Sequence, residues 1–510
     1  MRQKHRYQAG KEYRYWFLFI PLTAFSAFLV LAGILLDGPS TVFYGMRDIL
    51  FNQDNLYTDY IALGGLGAAL VNCGLVCLFS LFLLYLDGDP LNGFTLVTMG
   101  LMAGFSLFGK NLINMLPILL GVLIYAKVKR ERFAKYTNVA LLATTLGPAV
   151  SFLIFHPEKP LPVLGLIMGV VIGFVFPALA AYTFRILDGM NLYNAGFAGG
   201  ILGMVLIPLL NAVDHGPSTV YFWSTEYSLP LGILVVVACA GLIVLGAIHG
   251  GDDVMDRYRH LLRTGGRLPS DYLRTYGLST VCINMGVNGL LALIYILAVG
   301  GVINGPTLGG ILTVMGFSAY GKHARNIAPI MIGVYIGNLI NSVPMDNASM
   351  QIAGLFGTTL APIAGIFGWP FGILAGILHS CVVLYSGAAI GGVNLYNNGF
   401  SGGLIALVLY LFLPSSSIPA GLLTTTKSST KSSRKTASWM KRRWVLTRMT
   451  NLSLQKMKMK QKKVRLKINK RILGRTQSNL LCVLFLYFAS KAVGCGRFSV
   501  KKDFRKNKEK

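Results

Sequence analysis

Long apolar stretches alternate with short polar breaks along most of the chain, and the rhythm stops after Pro414. Fourteen such stretches fall near residues 15–36, 61–86, 93–109, 111–126, 136–155, 161–184, 192–213, 229–249, 276–299, 304–320, 327–341, 348–367, 370–390 and 395–413. A bilayer core needs roughly 20 apolar residues to cross. It offers the backbone no hydrogen-bond partner, so each stretch is predicted to be helical. The predicted fold class is all-α, a polytopic integral membrane protein with about fourteen transmembrane helices. Residues 15–36 are long enough to stay in the membrane behind a basic head, unlike a cleaved signal peptide.

The polar breaks repeat. Residues 92–125 return at 304–337 with a constant offset of 212, no gap and 15 identities in 34 positions. Asn72/Asn284 and Gly74/Gly286 keep the same offset, and NLYNAGFAGG at 191–200 returns as NLYNNGFSGG at 394–403. The predicted domains are a head, first helix and external loop (1–60), repeat one (61–213), a linker with one helix and a basic loop (214–275), repeat two (276–413) and a basic tail (414–510). Seven crossings separate equivalent points, which inserts the copies upside down relative to each other and brings paired residues together near the midplane.

Composition agrees, at 54% hydrophobic and 13% charged residues. The net charge of +28 belongs almost wholly to the tail, because residues 420–510 hold 26 Lys and Arg against 2 acidic residues. The head (Arg2, Lys4, Arg6, Lys11, Arg14), the 127–135 loop (Lys127, Lys129, Arg130, Arg132, Lys135) and the 250–275 loop (Arg257, Arg259, Arg263, Arg267, Arg274) share one side by parity. That side is expected to be cytoplasmic in the cell membrane, with the tail on it too. Loop 214–228 has no Lys or Arg, and loop 37–60 carries Asp37, Asp48, Asp54 and Asp59 against Arg47. Counting segments 93–109 and 111–126 as two full crossings keeps 127–135 inside.

The repeated polar residues are the candidates for function. GFSLFGKN and GFSAYGKH place Lys110 and Lys322 at a short link between apolar stretches. They read either as interfacial lysines capping helix C-termini or as cations approaching a solute pathway. In NLYNxGFxGG the glycines permit close helix packing. Asn191/Asn394 and Asn194/Asn397, retained in both copies, suit a half-helix facing a cavity. Asn92 and Asn304, at the head of NGxTL, fit a cap or a solute contact. These eight residues form the expected substrate pathway, with Asn194, Asn397, Lys110 and Lys322 around a shared polar cavity.

Other polar groups point elsewhere. His379 reads as a core histidine rather than a proton carrier, Arg185 and Asp188 as an interfacial pair, Asp252, Asp253 and Asp256 as a solvated face, and Cys73 and Cys77 as packing residues. No catalytic, metal or cofactor site is expected. The repeated side chains are Asn, Ser and Lys, which suit binding better than catalysis, so the chain is not expected to be an enzyme. The expected role is a transporter or channel for a small polar or anionic solute. A membrane-embedded enzyme or assembly scaffold is the alternative. The expected partners are the lipid bilayer and the solute, without nucleic acid, and a homo-oligomer is compatible with this scheme.

On its NGxTL, GFSxxGK and NLYNxGFxGG segments, residues 15–413 resemble the bacterial multi-pass membrane proteins grouped as a domain of unknown function. That resemblance implies fold and location but no activity. NGPTLGGIL and NLYNNGFSGGL are more faintly similar to urea transporters, which also have two inverted halves. Here NG stands where that family has Asn-Pro, and the motifs lie further apart. The tail (TTTKSSTKSSRKTASWMKRRW onward) fits either a polybasic lipid-binding segment or translation in a shifted frame, and no function is assigned to it.

Overall fold

The computed structural model describes residues 15–88, 91–212, 221–341, 343–344 and 346–412. The basic head and the tail lie outside the described residues. Each of the fourteen apolar stretches forms helix. Nine helices among the described residues are long and apolar enough to cross a membrane. Asn397–Phe412, 16 residues long, is apolar but shorter.

Contacts fix the helix directions. Tyr15–Asp37 runs antiparallel to Leu66–Asp87, with Phe19 against Tyr85 at one end and the Gly67 N–H donating to Asp37 at 2.7 Å at the other. Gly93–Phe105 starts from the Asp87 end. Leu112–Val128 returns to that end, because it lies parallel to Pro162–Leu187, with Gly121 on Gly173 and Tyr125 against Phe174. Asp188, at the close of Pro162–Leu187, accepts from Arg267 Nε at 2.7 Å in the 250–275 loop.

Gly93–Phe105 and Leu112–Val128 therefore form a hairpin whose ends share one side. At ~1.5 Å per residue, the 13 residues of Gly93–Phe105 rise about 20 Å, short of a ~30 Å hydrocarbon core. Gly305–Phe317 and Ala324–Asn341 form the matching hairpin from the opposite side. Two crossings and one hairpin both return the chain to its starting side, so the basic loops keep the sides expected from the charge pattern. The side carrying 127–135 and 250–275 is called the basic face below.

The two halves correspond further outward than their sequence identity does. Ser228–His249 packs on Leu278–Ala298 as Tyr15–Asp37 packs on Leu66–Asp87, and the short helices Pro39–Leu50 and Val254–Leu261 follow in turn. Asp59 and Asp271, 212 apart, then cap Tyr60–Gly64 and Tyr272–Tyr276. Each also reaches across to the other half. Asp59 accepts from Gly305 N–H at 3.2 Å, and Asp271 accepts from Gly93 N–H at 3.2 Å. Each half thus holds the start of the other's hairpin, where unpaired amides need an acceptor.

Because the hairpins are short, the opposite loop must fold inward to meet each tip. Gln53, Asp54, Asn55, Thr58 and Asp59 are all buried. Asp54 accepts from Tyr60 Oη at 2.9 Å and from Asn114 Nδ2 at 3.1 Å. Burial pushes its carboxyl from 3.8 up to about 7, against the lowering effect of bonds from Ser151, Tyr60 and Asn114.

The halves meet along two helix pairs, Gly93–Phe105 with Gly305–Phe317 and Asn194–Ala212 with Asn397–Phe412. At the second crossing a Cβ on Gly196 would overlap the Tyr396 carbonyl, and one on Gly399 would press on the Tyr193 carbonyl. Only glycine allows this approach.

Candidate substrate pathway

Each hairpin tip is a helix break held by one asparagine. Asn72 Nδ2 donates to the carbonyls of Ser106 at 2.7 Å and Lys110 at 2.9 Å, and Asn284 Nδ2 donates to those of Ser318 and Lys322, both at 2.8 Å. Gly109 and Gly321 make the turn at φ 68 and φ 107, in the left-handed region that glycine tolerates. The lysines that follow are 0% exposed. Neither is interfacial, and neither is in an ion pair among the described residues.

The two lysines differ in their partners. Lys322 Nζ donates to the Tyr193 hydroxyl and, at 2.6 Å, to Thr358 Oγ1, and it lies 4.3 Å from the Tyr193 ring centre. Lys110 Nζ has Met102 Sδ at 3.8 Å and lies 5.1 Å from the Phe105 ring. By symmetry its partner would be Tyr396, whose hydroxyl is buried without a hydrogen bond. Tyr193 and Tyr396 stack on each other at 4.4 Å, flanked by Phe105, Phe317 and Phe356.

The expected asparagines divide into three kinds. Asn92 and Asn304 are capping residues, each accepting from the amide three residues on and joined to that residue's threonine hydroxyl in a capping box. Asn191 and Asn394 hold the halves together: Asn191 Nδ2 donates to Gly399 O at 2.9 Å and Asn394 Nδ2 to Gly196 O at 3.1 Å. Each also receives a threonine hydroxyl of the other half, Thr359 on Asn191 and Thr145 on Asn394. Asn194 and Asn397 point away from that seam, Asn194 Nδ2 to Ala180 O at 2.8 Å and Asn397 Nδ2 to Ser386 Oγ at 3.3 Å.

One cavity of about 460 Å³ reaches this centre. Lys135, Arg185 and Leu268 of the basic face line it, together with Phe94, Phe176, Phe184, Asn194, Ala195, Phe317 and Tyr396. Of the eight expected residues, Asn194 lines it, and its wall is mainly apolar with no Asp or Glu. Lys322 stands behind the floor, 5.2 Å from the Phe317 ring. Among the described residues, several that the repeat relates to this wall are buried, as much of the wall itself is. Ala180 corresponds to Val383, which is buried in a cluster with Val334, Met350 and Ala353.

The remaining polar groups are mostly satisfied. His379 Nε2 meets Asn398 Oδ1 at 3.0 Å and its Nδ1 meets Ser401 Oγ at 3.3 Å, as a core histidine does. Asp188 pairs with Arg267 and accepts from Tyr410 Oη at 2.9 Å, whereas Arg185 lines the cavity, so the expected Arg185–Asp188 pair is not formed. Asp253 pairs with Arg257 at 2.9 Å, and Asp256 with Arg259 at 3.1 Å. Among the described residues no group of His, Cys, Asp and Glu is placed to hold a metal ion.

Helix content, apolar spans and a buried polar seam define an all-α polytopic membrane protein. The family model "Protein of unknown function (DUF1576)" matches residues 38–212 and 251–415, and the chain belongs to that family. The two matched segments begin just after Tyr15–Asp37 and Ser228–His249, which is where the structural halves correspond. No curated protein and no solved structure matches the chain, and the fainter likeness to urea transporters is not shown.

Proposed function

We propose that the protein is a membrane transporter for a small polar or anionic solute, working by alternating exposure of a central site between inverted halves, with the basic face in the cytoplasm. The observation that carries this reading is the unequal state of two equivalent halves. A cavity lies beside Ala180 on the basic face, while Val383 at the repeat-related position packs in a cluster with Val334, Met350 and Ala353. The Lys–Tyr pair that the repeat encodes twice is made at Lys322–Tyr193 and unmade at Lys110–Tyr396. Exchanging the conformations of the halves would close this cavity and open its twin, as rocking carriers with inverted repeats do. A rigid scaffold gives no reason for one half to keep a pair that the other lacks.

Single cysteines at positions 180 and 383, in a background without native cysteines, test this reading with an impermeant maleimide. A carrier labels at 180 from the basic face and, more slowly, at 383 from the opposite face. A protein unreactive at 383 from both faces is not one. A cysteine at position 263 identifies the basic face, and labelling of that position from outside the cell would reverse the proposed orientation.

A further inference from the structure

Resting on the transport reading, we infer that Asp54 is a proton-binding site that controls exposure on the face opposite the basic one. Its carboxyl holds a proton while that face is closed, and opening releases the proton to water there. The repeat locates the site. Loops 51–59 and 263–271 are counterparts at the 212 offset and fold inward alike, the Leu56 N–H donating to Gly392 O at 3.0 Å and the Leu268 N–H to Gly189 O at 3.2 Å. Gly189 and Gly392 hold matching places before the two NLYN segments. Leu268 lines the cavity, whereas Leu56 is buried. Exchanging the halves would therefore set loop 51–59 beside the opened twin, with Asp54 two residues from Leu56.

Asp54 fastens its loop to the tip of the first hairpin. Asn111 and Asn114 each accept the other's backbone amide through Oδ1, which leaves their Nδ2 groups to face the acid at 3.4 Å and 3.1 Å. Tyr60 Oη donates at 2.9 Å, and Ser151 bonds it as well. None of these partners is a cation, and Tyr60 is the titratable group among them. Lys110, one residue before Asn111, turns its ammonium to Met102 and the Phe105 ring. Arg47 pairs with Asp48 on the exposed side of Pro39–Leu50, and Asp59 is held by the amides of Ile61, Ser224 and Gly305. A buried carboxyl without a cation favours its neutral form, and water restores the ionised one. The donors oppose burial, but burial is the larger effect and pushes the carboxyl from 3.8 up to about 7. The closed conformation thus binds the proton more tightly than a hydrated one, so a proton on Asp54 favours closure.

The acid belongs to one face only. Gly266, at φ 70, is its counterpart, and a Cβ there would overlap the Gly321 carbonyl and Asn326 Nδ2. His323, in the place of Asn111, ties that loop instead, its Nε2 meeting Thr264 O at 3.0 Å.

The full chain in sealed vesicles, carrying the single cysteine at position 383, is labelled from the face opposite the basic one while the pH on that side is varied from 5 to 8. Each rate is divided by that of the same chain with Asp54→Asn, which stays neutral, so that ionisation of the thiol itself cancels. The ratio is expected to rise about tenfold or more over this range, since each unit of pKa difference is a factor of ten between the two states. Tyr60→Phe removes a donor to the carboxylate and should move the rise to higher pH. If Asp54→Asn does not accumulate, a cysteine at exposed position 221 on the same face supplies the reference rate. A ratio flat in pH, or a rise that Tyr60→Phe leaves in place, overturns the proton site while labelling at 383 leaves the carrier standing. No labelling at 383 at any pH overturns both.

Discussion

Tyr193 and Tyr396 occupy the same place in two copies of one motif and stack at 4.4 Å, yet only the Tyr193 hydroxyl is bonded to a lysine. Motif identity made the pairs equivalent. The pairs differ in conformation, and Met102 beside Lys110 stands where the other half has Val314, so the two lysines have different energetic roles.

Lys322→Met removes two hydrogen bonds from a buried ammonium and strands the Tyr193 hydroxyl, which should cost on the order of 1–3 kcal/mol. Lys110→Met removes an ammonium whose contacts are Met102 and the Phe105 ring, and replaces it with a side chain that suits them. Thermal unfolding in detergent should show Lys322→Met less stable than wild type and Lys110→Met at least as stable. The reverse order would mean that the lysines have been assigned to the wrong partners.

Asp59 and Asp271 act as caps between halves, so their loss should loosen the fold rather than the site. Asp59 accepts from the amides of Ile61, Ser224 and Gly305 and is 0% exposed. Asp271 accepts from Gly93 and Arg274 and is partly exposed. Asp59→Ala should therefore destabilise by about 2 kcal/mol or more, and Asp271→Ala by less. Equal losses would show that the number of amides held does not set the cost.

Asp54 gives a pH signature. Its folded carboxyl titrates at about 7 against an ordinary 3.8, so the folded state holds the proton more tightly than the unfolded one. Its contribution is most favourable below 3.8, declines as pH rises toward about 7, and is constant above that. Midpoints measured from pH 4 to 8 should fall more steeply for wild type than for Asp54→Asn. Parallel curves would contradict a carboxyl raised by burial.

The helices and the short breaks before Lys110 and Lys322 are legible in the sequence because apolar length and an ungapped repeat report them directly. Lys110 and Lys322 stand out in the repeat, although their depth does not, since a Gly-Lys link reads equally well at an interface. The hairpins could not be told from double crossings by charge, because both return the chain to its starting side. Asp59 and Asp271 were hidden in loops, where acids usually meet water, although their 212 spacing and the paired Gly65 and Gly277 were a usable signal. The tyrosines of NLYN, Tyr193 and Tyr396, are repeated as plainly as its asparagines. Thr145 and Thr359 also recur, in TTLGP at 144–148 and TTLAP at 358–362, but at an offset of 214 that differs from those of the other motifs. The cavity wall is built from residues that differ between copies, such as Ala180 and Val383.

The most direct test combines the two tyrosines with sided labelling at positions 180 and 383. Tyr193→Phe removes a bond made only in the present state, and Tyr396→Phe removes one that only the exchanged state would make. At roughly 1–2 kcal/mol per charged hydrogen bond, each should shift the balance of exposures about tenfold. The account predicts that Tyr193→Phe lowers labelling at 180 from the basic face and raises it at 383 from the opposite face, with Tyr396→Phe doing the reverse. Shifts in the same direction for both variants, or none at either position, would contradict it.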